Sequence, residues 1–199
     1  MPASLIYRNA HIYALATRVL YGPHHDARLR AVAELIPRES SVLECCCGPG
    51  LLYARYLKAK GVHYTGLDIN AGFVDRITRL GGRGEVRDLR EPGPLPRADY
   101  VVMQASLYHF LPHAAPIVEG MLGAARKQVI IAEPVRNLAS SRSRWLAAIS
   151  AALADPGTGQ QPHRFTEPSL DDLFSRFTSR VVRSFLIAGE REKVYVLAS

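Results

Sequence analysis

The sequence predicts an α/β domain of the doubly wound kind: a mostly parallel, seven-stranded sheet with helices on both faces, ending in an antiparallel C-terminal hairpin. Three observations carry that expectation. Between Ser41 and Ala132, apolar runs of strand length alternate with segments whose apolar residues recur at helical spacing, the pattern of βα units. The first run, Val42-Leu43-Glu44, opens into the small-residue loop Cys45-Cys46-Cys47-Gly48-Pro49-Gly50, and a helical pattern starts at Leu51. The last two runs, Val181–Ile187 and Lys193–Leu197, are joined through Ala188-Gly189-Glu190-Arg191 and read as a hairpin. A chain of 199 residues, 48% of them hydrophobic, suits a single domain over residues 1–199 with a real core.

The elements follow in order. His11–Tyr21 sets Ile12, Leu15, Ala16, Val19 and Leu20 at helical spacing and stops at Gly22-Pro23. Ala27–Ile36 repeats the pattern through Leu29, Val32, Ala33 and Ile36, and Pro37 closes it. Both helices precede the first strand, so residues 1–37 are expected to form an N-terminal helical cap rather than part of the sheet. Val62–Leu67 reads as the second strand, ending at Asp68, and Ala71–Leu80 as the next helix, broken by Gly81-Gly82. Gly84–Arg87 is a short third strand ending at Asp88-Leu89. A Pro-rich loop, Glu91–Pro96, leads to Ala98–Met103, a near-continuous apolar strand that runs out at Gln104–Phe110. Ile117–Ala125 supplies a covering helix, and Gln128–Ala132 a fifth buried strand ending at Glu133-Pro134.

Residues 137–177 read as a lid or insert. Within them Asn137–Leu153 is an arginine-flanked helix with Trp145, Leu146, Ile149 and Leu153 on one face, open to three readings: a lid, core packing or a lipid-docking face. Asp155–Pro162 is a Gly/Pro loop and the best candidate for a mobile segment. Pro168–Phe177 is a helix capped by Thr166 or Ser169.

Ligands of doubly wound folds bind outside the carboxyl ends of the strands, so the chemistry belongs to those loops. Gly48 and Gly50 let the backbone approach a ligand without a Cβ in the way. A dinucleotide site wants Gly or Ala three residues after the second glycine, where this chain has Tyr53. Glu44, at the strand end, would repel a pyrophosphate and welcome a cation. The loop suits a positively charged nucleoside better than a dinucleotide. Asp68 lies 24 positions after Glu44 and 18 after Gly50, where an acid holds ribose hydroxyls through charge-assisted hydrogen bonds. Capping of the following helix is its other reading, shared with Asn70.

Val-Leu-Glu-Cys-Cys-Cys-Gly-Pro-Gly resembles the first motif of class I S-adenosylmethionine-dependent methyltransferases, an acid followed by alternating glycines. The resemblance runs from about Ser40 to Glu133. Glu44 matches the motif acid, Gly48 and Gly50 its second and third glycines, and Cys46 stands where the first glycine is usual, a small residue that fits there if the backbone keeps φ < 0. What the resemblance implies is a Rossmann-like methyltransferase fold that binds S-adenosylmethionine and releases S-adenosylhomocysteine. It implies Glu44, Cys46, Gly48 and Gly50 around the methionine portion, Asp68 with Ile69 at the ribose, and Asp88-Leu89 at the adenine, Asp88 accepting from its amine. Pairing of Asp88 with Arg87 or Arg90 is the alternative. Gln104 to His109 would line the methyl-transfer site, with no Asn- or Asp-Pro-Pro-aromatic motif of base-amine methyltransferases there. His109 is the candidate general base and Tyr108 a weaker one. A wall without proton transfer is equally consistent, since alignment alone can be worth ~7–11 kcal/mol. In this family such N-terminal caps often cover the substrate, which puts Tyr7, Tyr13 and Tyr21 within reach of the site or leaves them in helix packing.

The expected acceptor is a small molecule. A net charge of +7 and a pI near 9.6 permit nucleic acid, including an RNA acceptor, or an anionic membrane surface as a partner, but the arginines are scattered rather than run together. Cys46 in place of glycine raises a third possibility, a cofactor-binding domain without turnover. The cysteines at 45, 46 and 47 are adjacent and have no other cysteine to pair with, so they read as small buried residues, one of them open to oxidation. No metal-ligand spacing is present. Without an apolar run of ~20 residues or a secretory-signal layout at the N-terminus, a cytoplasmic protein is expected.

Overall fold

A computed structural model describes residues 26–136, 164–187 and 189–199. Seven strands form one sheet: β1 (Ser41–Cys45), β2 (His63–Asp68), β3 (Arg83–Val86), β4 (Ala98–Gln104), β5 (Ala125–Pro134), β6 (Val181–Leu186) and β7 (Glu192–Ala198). Their spatial order is β3-β2-β1-β4-β5-β7-β6. The first five strands pair in parallel, while β7 runs antiparallel to both β5 and β6. The winding reverses between β1 and β4, and that switch point opens the crevice beyond the carboxyl ends of the strands.

The period of two along each strand divides the core. Val42, Val102, Ile130, Val194 and Val196 face one side, and Leu43, Met103, Val129, Ile131 and Leu197 the other. Because both faces are covered, the central strands have no polar side, which is why they read as apolar runs. Helix α1 (residues 26–34) and helix α2 (residues 51–60) cover the first face together with Ile77 of α3 (Ala71–Arg79). Helices α4 (Ala114–Ala124) and α5 (Glu167–Ser175) cover the second.

Several expectations change. The segment expected as the second half of a cap is a sheet layer: Val32 and Ile36 of that segment are fully buried against Val42, Leu57 and Ile130. The helix expected over His11–Tyr21, with Tyr7, Tyr13 and Tyr21, lies outside the described residues, as do the helix expected over Asn137–Leu153 and the loop Asp155–Pro162. Helix α4 begins at Ala114 rather than Ile117, since Ala114 and Ala115 are buried and Pro116 sits in the first turn, where N–H groups have no helical partner anyway. β5 extends to Pro134 because β7 pairs with it from Gln128 to Pro134. Thr166 caps α5 and Ser169 returns the bond to the Thr166 N–H, so both expected caps act together.

Candidate functional site

The glycine loop is held in left-handed backbone at three positions, Cys46 (φ 55°), Gly48 (53°) and Gly50 (69°). The condition of φ < 0 for a cysteine here is thus not met: Cys46 keeps the conformation of the glycine it replaces, at a cost of about 1–2 kcal/mol for an L residue. The surroundings fix that shape. The Cys47 N–H donates to Leu67 O at 2.9 Å and the Gly48 N–H to Asp68 Oδ2 at 2.8 Å, which ties the loop to the end of β2.

The two glycines do different work. A Cβ at Gly48 would meet nothing within 4 Å, and Gly48 borders the crevice. A Cβ at Gly50 would lie 2.1 Å from Ile77 Cδ1, so Gly50 allows the loop to pack on α3 and does not line the crevice. Arg76 reaches back to donate to Pro49 O. Tyr53, the residue that spoke against a dinucleotide, is buried and stacks on Tyr64 with ring centroids 4.4 Å apart.

Asp68 joins loop and crevice. Its Oδ1 accepts from the Asn70 N–H at 2.9 Å and its Oδ2 from Gly48, and it lines the cavity. Burial pushes its pKa up, against the pull of those backbone N–H groups. Capping falls to Asn70, whose side chain accepts from the Gly72 and Phe73 N–H groups. Beside Asp68 stands Ile69, an apolar side chain left 41% exposed at the cavity rim, with Phe73 and Leu89 as further apolar lining.

Asp88 also lines the cavity, but its carboxylate is gripped by Arg90: Nη2 donates to Oδ2 at 2.8 Å and Nε to Oδ1 at 3.0 Å. That grip holds the Asp88 carboxyl below its ordinary range. Pairing with an arginine, left open by the sequence, is thus present. Arg87 and Arg90 border the same space.

Glu44 and Gln104 lie outside the lining. Glu44 is buried, its Oε2 accepting from the Tyr64 hydroxyl at 2.5 Å and its Oε1 from Gln104 Nε2 at 2.8 Å. Burial raises its pKa to about 7, although both hydrogen bonds oppose the rise. It does not present an open carboxylate to a cation in the crevice: strand alternation puts its side chain on the face of Val42, among Tyr64 and Gln104. Burial likewise pushes the Cys45 thiol to about 12 and the Cys46 and Cys47 thiols well above their usual value, so these sulfurs are not thiolates near neutral pH.

The remaining wall follows β4. Ala105 (φ 47°), Ser106, Tyr108, His109 and Phe110 border the cavity, the last three from the single helical turn Leu107–Phe110. Tyr108 lies largely buried between His109, ring centroids 4.0 Å apart, and the Arg164 guanidinium, 3.5 Å over its ring. From the end of β5, Glu133 Oε1 accepts from the Ser106 and Leu107 N–H groups, each at 2.7 Å. Sequence reasoning gave no role to Phe73, Phe110 or Glu133. Of these only Glu133 left a signal, an acid at a strand end like Glu44, Asp68 and Asp88.

The cavity thus collects Cys46, Gly48, Asp68, Ile69, Asp88, Leu89, Tyr108 and His109, and leaves Glu44, Gly50 and Gln104 behind or below it. The cavity has a volume of about 120 Å³ and is open to solvent. An open glycine face, a carboxylate and apolar walls on one side, and a histidine opposite, can hold a polar ligand with a flat apolar part and set a second molecule against it.

Comparison with known proteins agrees with this architecture. A family model described as a methyltransferase domain matches residues 24–177. No curated protein matches the sequence. Magnesium protoporphyrin IX methyltransferase (ChlM) from Synechocystis PCC 6803, crystallised with bound S-adenosylhomocysteine, is similar over 96% of each chain at 16% identity and a TM-score of 0.64. A TehB-like S-adenosylmethionine-dependent methyltransferase from Corynebacterium glutamicum is similar over 94% of this chain and 96% of that one, at 17% identity and 0.61. The 16S rRNA methyltransferase RmtF, in complex with S-adenosylhomocysteine, is similar over 98% of this chain and 69% of that one, at 20% identity and 0.62. At these identities the likeness is one of fold.

Proposed function

The chain belongs to the methyltransferase-domain family, and from that premise we propose that it transfers the methyl group of S-adenosylmethionine to a nucleophile on a small-molecule acceptor. One observation carries the reading: Gly48, Asp68 and the exposed Ile69 meet in a single crevice at the carboxyl ends of β1 and β2, with His109 on its β4 wall. These residues fit the cofactor. The space over Gly48 admits its methionine portion, the Asp68 carboxylate accepts from ribose hydroxyls, and Ile69, Phe73 and Leu89 offer apolar surface to the adenine. The bound sulfonium supplies an electrophilic methyl, and as the acceptor's nucleophile bonds to that carbon the C–S electron pair stays on sulfur. The protein's part is placement: His109, Tyr108 and Phe110 wall the space for the acceptor, and His109 is the group positioned to take a proton from a hydroxyl acceptor.

The test joins calorimetry with S-adenosylmethionine to an assay for S-adenosylhomocysteine formation and to mass spectrometry of co-purified small molecules. Absence of cofactor binding overturns the reading. Binding without turnover on any acceptor supports a binding domain instead, the reading that Cys46 in the glycine position raises. A net charge of +7 favours one other acceptor, RNA. Retention on RNA that falls steeply with salt, together with methylation of that RNA, would move the assignment there.

A further inference from the structure

The chain leaves β4 through a conformation that needs outside support. Ala105 has φ 47°, the left-handed region that an L residue occupies only when its surroundings hold it there. Three consecutive amides show what holds it. Ala105 N–H donates to Ala132 O at 2.8 Å, and the Ser106 and Leu107 N–H groups both donate to Glu133 Oε1 at 2.7 Å. Both acceptors, Ala132 O and Glu133 Oε1, belong to the end of β5. Glu133 is completely buried, and its Oε2 has no hydrogen-bond partner among the described residues. A carboxylate placed for general polarity would spread its bonds over both oxygens. This one spends its short bonds on two adjacent amides, and those amides open the turn Leu107–Phe110, where N–H groups have no partner within the turn itself.

That turn carries Tyr108, His109 and Phe110 into the cavity, while Glu133 does not border it. From this we infer that Glu133 is a positioning residue of the methyl-transfer site. It clamps the 105–110 wall onto β5 and so sets the acceptor-facing side chains against the cofactor side, without touching either ligand. The inference rests on the methyltransferase reading for its purpose, but the clamp itself does not. From the far side, Arg164 over the Tyr108 ring is a second support for the wall.

The experiment reads the clamp directly. Amide hydrogen exchange is followed in the full chain for wild type, E133A, E133Q, E133D and A105G/E133A, and affinity is measured by calorimetry with S-adenosylhomocysteine as the probe. In E133A the Ser106 and Leu107 amides should exchange at least tenfold faster, with the β4 amides of Val101 and Val102 unchanged. E133Q keeps a carbonyl oxygen at the same reach and should stay within threefold of wild type. With glycine at 105 the turn is no longer strained, so the acceleration in A105G/E133A should shrink at least threefold relative to E133A. Affinity for S-adenosylhomocysteine should stay within threefold throughout. If E133A fails to fold, E133D, one methylene too short, reads the same two amides. Wild-type exchange at Ser106 and Leu107 in E133A or E133D overturns the clamp. Acceleration spread evenly over the sheet, or affinity lost in step with it, overturns the positioning role in favour of a structural one. Failure of wild type to bind S-adenosylhomocysteine removes the reading beneath the proposal and its purpose, and the exchange pattern then tells whether the clamp was misread too.

Discussion

Replacing Asp68 separates the loop's architecture from ligand recognition, because this carboxylate serves both. It accepts from Gly48 at 2.8 Å and from Asn70 at 2.9 Å while lining the crevice. Asp68→Ala removes the acceptor proposed for the ribose hydroxyls. Hydrogen bonds to a charged group are worth about 1.5–3 kcal/mol, and at 1.4 kcal/mol per decade that is a loss of about 10- to 150-fold in affinity. The same substitution frees the Gly48 N–H, which borders open space and can take water, so the stability cost falls at the low end of the ~1–3 kcal/mol for an unpaired group. Calorimetry with S-adenosylhomocysteine reads the first effect and thermal unfolding of the unliganded protein reads the second. Asp68→Asn keeps one acceptor oxygen and should lose less affinity than alanine. Because burial raises the Asp68 pKa, binding should weaken on acidification from above the ordinary carboxylate range. Affinity within threefold of wild type in Asp68→Ala would refute the ribose assignment. A large fall in thermal midpoint with unchanged affinity would assign Asp68 to the loop alone.

Gly50→Ala sets a Cβ 2.1 Å from Ile77 Cδ1 at φ 69°, so it should cost about 2–4 kcal/mol and lower the thermal midpoint by at least about 5 °C. The double variant with Ile77→Val, which lacks Cδ1, should recover part of that loss. Stability should also fall as pH rises from about 4.5 to about 7. Glu44 and Glu133 are buried with pKa values raised from 4.5 to about 7, so in that window the folded state holds protons that the unfolded state has released. At about 1.4 kcal/mol per pH unit, each contributes on the order of 3 kcal/mol. Arg28 offsets both, Tyr64 and Gln104 offset Glu44, and Arg164 with the Ser106 and Leu107 amides offsets Glu133. Thermal midpoints measured across pH 4.5 to 8 check the slope, and E133Q should flatten it; a slope equal to wild type in E133Q would put the titration elsewhere. His109→Gln should lower turnover of a hydroxyl acceptor by about 10²-fold or more if His109 takes the proton, with cofactor affinity unchanged. A wild-type rate would leave His109 as wall only.

The sheet was legible in the sequence because its strands are buried on both faces and bounded by glycine, proline and acid, so length and polarity mark them out. The position of the crevice was legible for a related reason: in a parallel sheet every strand end that precedes a helix points to the same edge. Hence Gly48, Asp68 and Asp88 could be expected together from spacing, and the structure brings all three to one cavity. Beyond the strand ends that logic stops. Whether Gly50 faces ligand or Ile77, and whether Cys46 takes negative or positive φ, depends on atoms contributed by α3 and β2, which local sequence does not specify.

The acids show most sharply what decides a role. Glu44, Asp68, Asp88 and Glu133 all stand at or just past strand ends along one sheet edge, chemically near-identical, yet they end in different physical states. Glu44 is enclosed between Tyr64 and Gln104 and its charge is suppressed; Asp88 is exposed enough to hold Arg90 and stays charged. Asp68 lies between these, held by two backbone amides and open to the cavity. Glu133 is sealed off entirely and turns its short bonds to a neighbouring loop. Solvation and backbone partners, not residue type, sort them. An acid past a strand end therefore locates the working edge of such a sheet. Only the acids that keep open lone pairs facing the cavity can recognise a ligand, and a buried one can shape the site only by holding backbone in place.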